Sequence, residues 1–281
     1  MSGKRIGFVD NKLDNYHANT YLAILRDQLK DRGYTVTACT AMDEAGGRAW
    51  AEAKGVPYFS DHKQMNANVD HYVVLAPSNP ELHLELCKWV LPFRKTTYVD
   101  KTFAPDVKTA RAIFRLADKY GVAVETTSAL RYTNVQDEVR SLGGPAAIRH
   151  MVTWGPGGSF GEYAIHPLEL AISCMGAGAQ RLMRRGGEPL SQLLLDFSGG
   201  RTAVVNVYVK TSTPFAAAVT TEKETKLITV DGAKIFINTA AAMLNLFDSG
   251  KPSIDRQESL MIRRVLDVAG SARALKGFVR L

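Results

Sequence analysis

Through the first half of the chain, short unbroken apolar runs alternate with longer stretches that are apolar on one helical face only. Residues 4–10, KRIGFVD, predict a buried strand, and a helix follows from Ala18 to Arg32 with Tyr21, Leu22, Leu25 and Leu29 on one side and Gly33 as its stop. YTVTACTAM from Tyr34 predicts the second strand, EAGGRAWAEAKG a shorter helix ending at Gly55, and VPYFSD a short strand. HYVVLAP is the next strand, PELHLELCKWVL a helix opened by Pro80, and TTYVDKT a further strand. Ala104 to Tyr120 is amphipathic, with Val107, Ala110, Ile113, Phe114, Leu116 and Ala117 on one face, and VAVETT closes the series. Continuous apolar strands joined by helical crossovers predict a doubly wound parallel sheet covered on both faces.

Beyond Leu130 the period changes from helical to two. AAIRHMVTW, QLLLDFSGGRTAVVNVYVK and KLITVDGAKIFI predict antiparallel strands, with tight turns at Ser198-Gly199-Gly200 and Asp231-Gly232. One helix, Ile165 to Met175, and a terminal helix, Gln257 to Leu275, complete an α+β half with an open, mainly antiparallel sheet. The expected domains are residues 1–129 and 130–281. Alternating valines 205, 207 and 209, or their neighbours, would leave one sheet face apolar, so a homodimer or homotetramer through that sheet is expected.

Composition narrows the picture. The chain has 281 residues, 46% hydrophobic and 22% charged, an ordinary globular balance. No run reaches the roughly 20 apolar residues of a membrane span, and no signal-peptide pattern opens the sequence. The three cysteines, Cys39, Cys87 and Cys174, lie far apart, which argues for a reducing compartment and against disulfides or a metal centre. A cytoplasmic protein with no membrane partner is expected. The net charge of +7 is spread along amphipathic segments rather than gathered in a stripe, so nucleic acid is not the expected partner. A small anionic or polyhydroxyl substrate suits the positive balance equally well.

Ligands of open parallel sheets bind beyond the carboxyl ends of the strands, and Lys101 lies just past TTYV. A dinucleotide site would also place glycines after the first strand, where the backbone approaches a pyrophosphate. This chain has instead Asp10-Asn11-Lys12-Leu13-Asp14-Asn15-Tyr16-His17. Two carboxylates repel a phosphate, Lys12 offsets part of that, and Asp14 or Asn15 can cap the following helix. Asp43, after the second strand, can read ribose hydroxyls or cap its own helix.

Several of these features resemble the glucose–fructose oxidoreductase / inositol dehydrogenase family, over nearly the whole chain. APSNPELH, Ala76 to His83, is similar to the family's TPN..H pattern. Asp100-Lys101-Thr102 is similar to its EKP, and Glu162-Tyr163-Ala164-Ile165-His166 to its DxxxH. The departures are Asp for Glu and Thr for Pro in the second motif, Glu for Asp in the third, and the missing glycines. The resemblance implies a Rossmann domain followed by an open-sheet domain and NAD or NADP as cofactor. It also implies Lys101 and His166 as the catalytic pair with Glu162 assisting. Cofactor-binding candidates are Asp10, Asn11, Lys12, Asp43, Pro77, Asn79, His83 and Asp100.

Histidine titrates near neutrality and suits proton transfer, and an ammonium stabilises a developing alkoxide. Pro167 fits only a first helical turn, which would put His166 at a helix N-terminus, kept neutral by the dipole. Arg131 and Tyr132, where the domains would meet, are substrate-binding candidates or interface partners. Trp154, heading the glycine-rich run to Gly161, is a third substrate-binding candidate, and that run is either a flap or an ordinary loop. Three functions follow. The leading one is a nicotinamide-dependent oxidoreductase acting on a sugar, polyol or related hydroxy compound. The others are a lyase or isomerase using Lys101 and His166 without free NAD(P), and a non-catalytic binding or regulatory protein.

Overall fold

The computed structural model describes residues 4–281. The chain forms two compact units, one ending at Thr127 and taking up Phe236–Asp255 again later, the other made of Ser128–Ile235 and Arg256–Leu281. In the first unit the elements run β1 (Arg5–Asp10), α1 (Tyr16–Arg26), β2 (Thr35–Ala41), α2 (Glu44–Lys54), α3 (His62–Ala67), β3 (His71–Val74), α4 (His83–Val90), β4 (Thr97–Val99), α5 (Val107–Tyr120) and β5 (Val124–Thr126). The sheet order is β2-β1-β3-β4-β5, every pair parallel. Strands β3, β4 and β5 are buried throughout, as expected where helices cover both faces. The strand order reverses between β1 and β3, and the crevice of such a sheet opens at that point.

Helix ends follow local chemistry. Asn15, Asp43, Asp61 and Asp106 each accept a first-turn N–H through the side chain, while Gly55 and Gly121 stop α2 and α5 in the left-handed conformation. Gly7, the one glycine of β1, has a packing role. A Cβ there would meet Met65 Cε at 2.7 Å and Val69 Cγ1 at 3.0 Å. Two expectations fail locally. VPYFSD adds no strand to the sheet, contributing only an isolated bridge from Tyr58 to Cys39, and α3 follows it. The first helix begins at Tyr16 and ends at Arg26, with a separate 3-10 turn at Lys30–Arg32 before Gly33.

In the second unit come α6 (Asn134–Ser141), β6 (His150–Gly157), α7 (Phe160–Tyr163), α8 (Ile165–Met175), β7 (Ala179–Gly187), β8 (Leu190–Phe197), β9 (Thr202–Val209), β10 (Ala216–Thr220) and β11 (Thr225–Thr229). The chain then makes α9 (Ile235–Ser249), α10 (Arg256–Ala269) and β12 (Val279–Arg280). The sheet order is β11-β10-β6-β9-β8-β7-β12, antiparallel except for the β6–β9 pair. Met151, Leu193, Leu195, Val205 and Val207 form one core with Leu168, Ile172 and Val265 of α8 and α10.

KIFI does not continue a strand. Residues Thr239, Ala240, Met243, Leu244, Leu246 and Phe247 recur at helical spacing and are buried, and α9 joins the core of the first unit with Leu22, Tyr34 and Val73. Arg32 and Tyr34 donate hydrogen bonds to the Asp248 carboxylate, at 2.6 and 2.8 Å. The second unit is therefore not the continuous stretch 130–281 that the change of period suggests. Among the described residues no helix is long and apolar enough to cross a membrane, and no group of three or more His, Cys, Asp or Glu side chains is placed to hold a metal ion.

Candidate functional site

At the switch point the chain leaves β1 through Asp10, which is fully buried. Its Oδ1 accepts the backbone N–H groups of Asn11 (2.7 Å), Lys12 (3.2 Å) and Ala76 (3.0 Å). Its Oδ2 accepts from Asn15 Nδ2 at 2.8 Å. Asn15 in turn caps α1, its Oδ1 accepting the N–H of Ala18 at 3.0 Å, so of the two sequence candidates Asn15 is the cap. Asp14 accepts instead from the Asn19 side chain. Asn11 donates to Asn79 Oδ1 at 2.9 Å, and its carbonyl accepts the N–H of Asp43. Asp43 caps α2 at Gly46 N. Burial pushes the Asp10 carboxyl up to about 7 despite these donors. Lys12 and Asp14 are the exposed charged residues of this loop.

The second group stands at the end of β4. Lys101 is 6% exposed, and its Nζ donates to the carbonyl of Pro77 at 3.0 Å; the Lys101–Thr102 peptide is cis. Asp100 accepts the Lys101 N–H through Oδ1, and its Oδ2 lies 2.5 Å from His17 Nδ1. Burial opposes ionisation of Asp100, but the His17 and Lys101 charges outweigh it and hold the carboxyl below its ordinary range. His83 is wholly buried between two carbonyls, Phe103 at 3.0 Å from Nδ1 and Ala76 at 3.2 Å from Nε2. Burial lowers its affinity for a second proton. His83 thus fastens the end of β3 to the turn after Lys101. Asp10, Asn11, Asp43, Pro77, Asn79, His83, Asp100 and Lys101 are all interlinked around the strand ends. His17 carries no local sequence signal, because its partner is 83 positions away.

In the second unit His166 lies deeper in helix than Pro167 suggests. Ser159 caps the turn Phe160–Tyr163, Ala164 is helical, and Leu168 N–H bonds back to the Ala164 carbonyl. Helical backbone therefore runs on from Glu162 to His166, so the imidazole does not stand at a free helix N-terminus whose dipole would keep it neutral. Residues four apart on such backbone share a face. His166 Nδ1 is 2.7 Å from Ser128 Oγ, a partner that no local sequence signal singles out. The His166 ring is flanked by Tyr163 and Phe215.

Three expectations are corrected within this unit. Arg131 is not available to a substrate anion. Its Nε and Nη1 donate to Glu169 and Glu258 at 2.6 Å each. Burial disfavours the guanidinium, but the two carboxylates outweigh it and hold it firmly charged. Tyr132 follows in the same turn. Trp154 pairs with Ala216 and Asn206 inside the sheet, and alternation puts it opposite Thr153 and Gly155, the latter lying against Pro167 of α8. It therefore faces away from the helix that carries His166. The glycine-rich run is no flap either, since Pro156 and Gly157 still belong to β6.

A dinucleotide's pyrophosphate needs unspent backbone N–H groups at the first loop. Here those of Asn11, Lys12 and Ala18 already bond to Asp10 and Asn15, and the residues present do not fit such a group in that loop. Residues 11–128 nevertheless match the oxidoreductase family with an NAD-binding Rossmann fold. Comparison with curated proteins gives no match. Among solved structures, myo-inositol dehydrogenase from Lactobacillus casei, in complex with NAD(H) and myo-inositol, is similar with a TM-score of 0.82 at 11% identity, covering 99% of this chain and 96% of that one. The apo scyllo-inositol dehydrogenase of the same organism gives 0.82 at 12%, covering 98% and 97%. A myo-inositol dehydrogenase described as putative, from Sinorhizobium meliloti, gives 0.81 at 12%, covering 99% of each chain. At these identities the likeness is one of fold.

Proposed function

Because residues 11–128 match the oxidoreductase family with an NAD-binding Rossmann fold, we propose that the chain is an oxidoreductase of the glucose–fructose oxidoreductase / inositol dehydrogenase family acting on a sugar, polyol or related hydroxy compound, with NAD or NADP as redox partner. The observation that carries this reading is Lys101, a buried ammonium anchored by one carbonyl at the mouth of a doubly wound sheet. An ammonium so held can donate to a substrate oxygen and stabilise the negative charge that grows on it. Asp100, fixed by His17 and by the Lys101 N–H, keeps that segment in place. His166 is the group proposed to take or return the hydroxyl proton. The Ser128 hydroxyl, 2.7 Å from Nδ1, orients the ring. Glu162, four residues earlier, is proposed to tune it.

Titration of the purified protein with NADH and NADPH, followed by nicotinamide fluorescence, tests the reading. Saturable binding of one of them below millimolar concentration is expected. Absence of binding for both ends the dehydrogenase reading. With a substrate in hand, Lys101→Ala and His166→Ala should each lower turnover by about 10²–10⁴-fold, and parental rates in both variants would remove the pair.

The filled first loop favours a second reading, in which the chain transfers protons as a lyase or isomerase without free NAD(P). The same variants test its catalytic groups, and the fluorescence titration separates it from the first.

A further inference from the structure

The first loop is organised around a carboxylate, and the placement of its donors resembles what a bound anion would otherwise receive. Asp10 ends β1, at the switch point of the sheet. It gathers backbone N–H groups from its own loop, from Asn11 and Lys12, and one from beyond β3, Ala76. The fourth donor is Nδ2 of Asn15, whose other side-chain atom caps α1. A ligand phosphate in a doubly wound fold recruits this kind of donor set, loop amides together with the N-terminal end of the first helix. The side chain of Asp10 reaches it from inside the protein. It is completely shielded from solvent, so no ligand can share its oxygens.

The surroundings agree. Asn11 is held by Asn79 on one side and by Asp43 N–H on the other, so the loop is tied down at both flanks. Asp43, where a ribose would be read, spends its carboxylate on Gly46 N. With Asp10 and Asp14, that makes three carboxylates around the space, against one exposed ammonium on Lys12. A dianionic group entering there would meet repulsion, and the N–H groups of Asn11, Lys12 and Ala18 are already taken.

We propose that Asp10 stands permanently in place of the ligand phosphate, so that this chain has no pyrophosphate subsite at its first loop. This deepens the reading above. A nicotinamide nucleotide would be held by its nicotinamide riboside end alone, and that last consequence rests on the proposed oxidoreductase function. The loss of the subsite does not rest on it.

The test follows the backbone amides of Asn11, Lys12 and Ala76 by ¹H–¹⁵N correlation spectroscopy of the full-length protein while inorganic pyrophosphate is added. In the parent protein the three resonances are expected to stay in place up to about 10 mM, a concentration that would saturate a site of millimolar affinity. Saturable shifts of all three would overturn the proposal. The Asp10→Ala variant vacates the donors and is expected to show those shifts. If it folds and does not, Asp10 is not the occupant and the proposal falls; if it fails to fold, the parent titration decides alone. NADH and reduced nicotinamide mononucleotide, compared by nicotinamide fluorescence, extend the result. Dissociation constants within about threefold of each other agree with the missing subsite, and NADH tighter by 100-fold or more contradicts it. If neither nucleotide binds while the amides stay still, the oxidoreductase reading fails and the assignment of Asp10 stands.

Discussion

A buried carboxylate has to be kept either neutral or well solvated by donors, and Asp10 stands between these limits. Its carboxyl is raised to about 7 by burial, from an ordinary value of 3.8. Between those two values the folded state holds more protons than the unfolded one, so Asp10's contribution to stability is complete below about pH 4 and is lost as pH rises through 7. The loss is at most roughly 1.4 kcal/mol per pH unit in that window. Asp100, Asp70 and Asp248 are shifted the other way and lose stability as pH falls, so the parent's total mixes both trends. Comparing the parent with Asp10→Asn isolates the one group. Urea unfolding at pH 5 and pH 7 should show the parent losing ground against the variant at the higher pH. An unchanged difference would mean that the donors keep Asp10 ionised throughout. The sequence made Asp10 legible as a charge hostile to phosphate. It could not reveal that a donor 66 positions along the chain, Ala76, completes its coordination. His17 escaped for the same reason, its meaning lying in Asp100.

Among the elements, the parallel strands and their helices were readable because continuous apolar runs and a 3.6-residue period are local signals. Failures came where a local pattern was short. VPYFSD has the composition of a strand but forms a single bridge, and IFI reads equally as strand or helix until the following 12 residues are counted into α9. Glycines misled in the opposite sense. The run after Trp154 suggested mobility, whereas a Cβ at Gly157 would lie 2.2 Å from Tyr163 Cβ. That glycine exists so that β6 and α7 can touch. Gly157→Ala should therefore cost about 1–3 kcal/mol through overpacking, seen as a lower urea midpoint with the slope of the transition unchanged. A midpoint equal to the parent's would mean that Tyr163 moves aside freely.

For the molecule as a whole, the seven-stranded sheet buries Val205 and Val207 in one core with α8 and α10, and Val209 is buried too, while the alternate residues Val204 and Tyr208 lie on the opposite face. Val152, Trp154, Val204 and Tyr208 on that outer face are only half-buried, and Leu227 is 80% exposed. Such a surface is proposed as a contact between copies of this chain. Size-exclusion chromatography with light scattering at micromolar concentration should give twice the protomer mass or more, and a monodisperse monomer would count against it.

The return of Phe236–Asp255 to the first unit governs when the protein can complete itself during synthesis. A ribosome that has released the Rossmann-like stretch has not yet supplied Met243, Leu244 and Phe247, which close its core. Domains of many proteins fold in order as they emerge. Here the earlier unit must wait, its apolar surface still open to chaperones, while more than 100 residues of the later one are made.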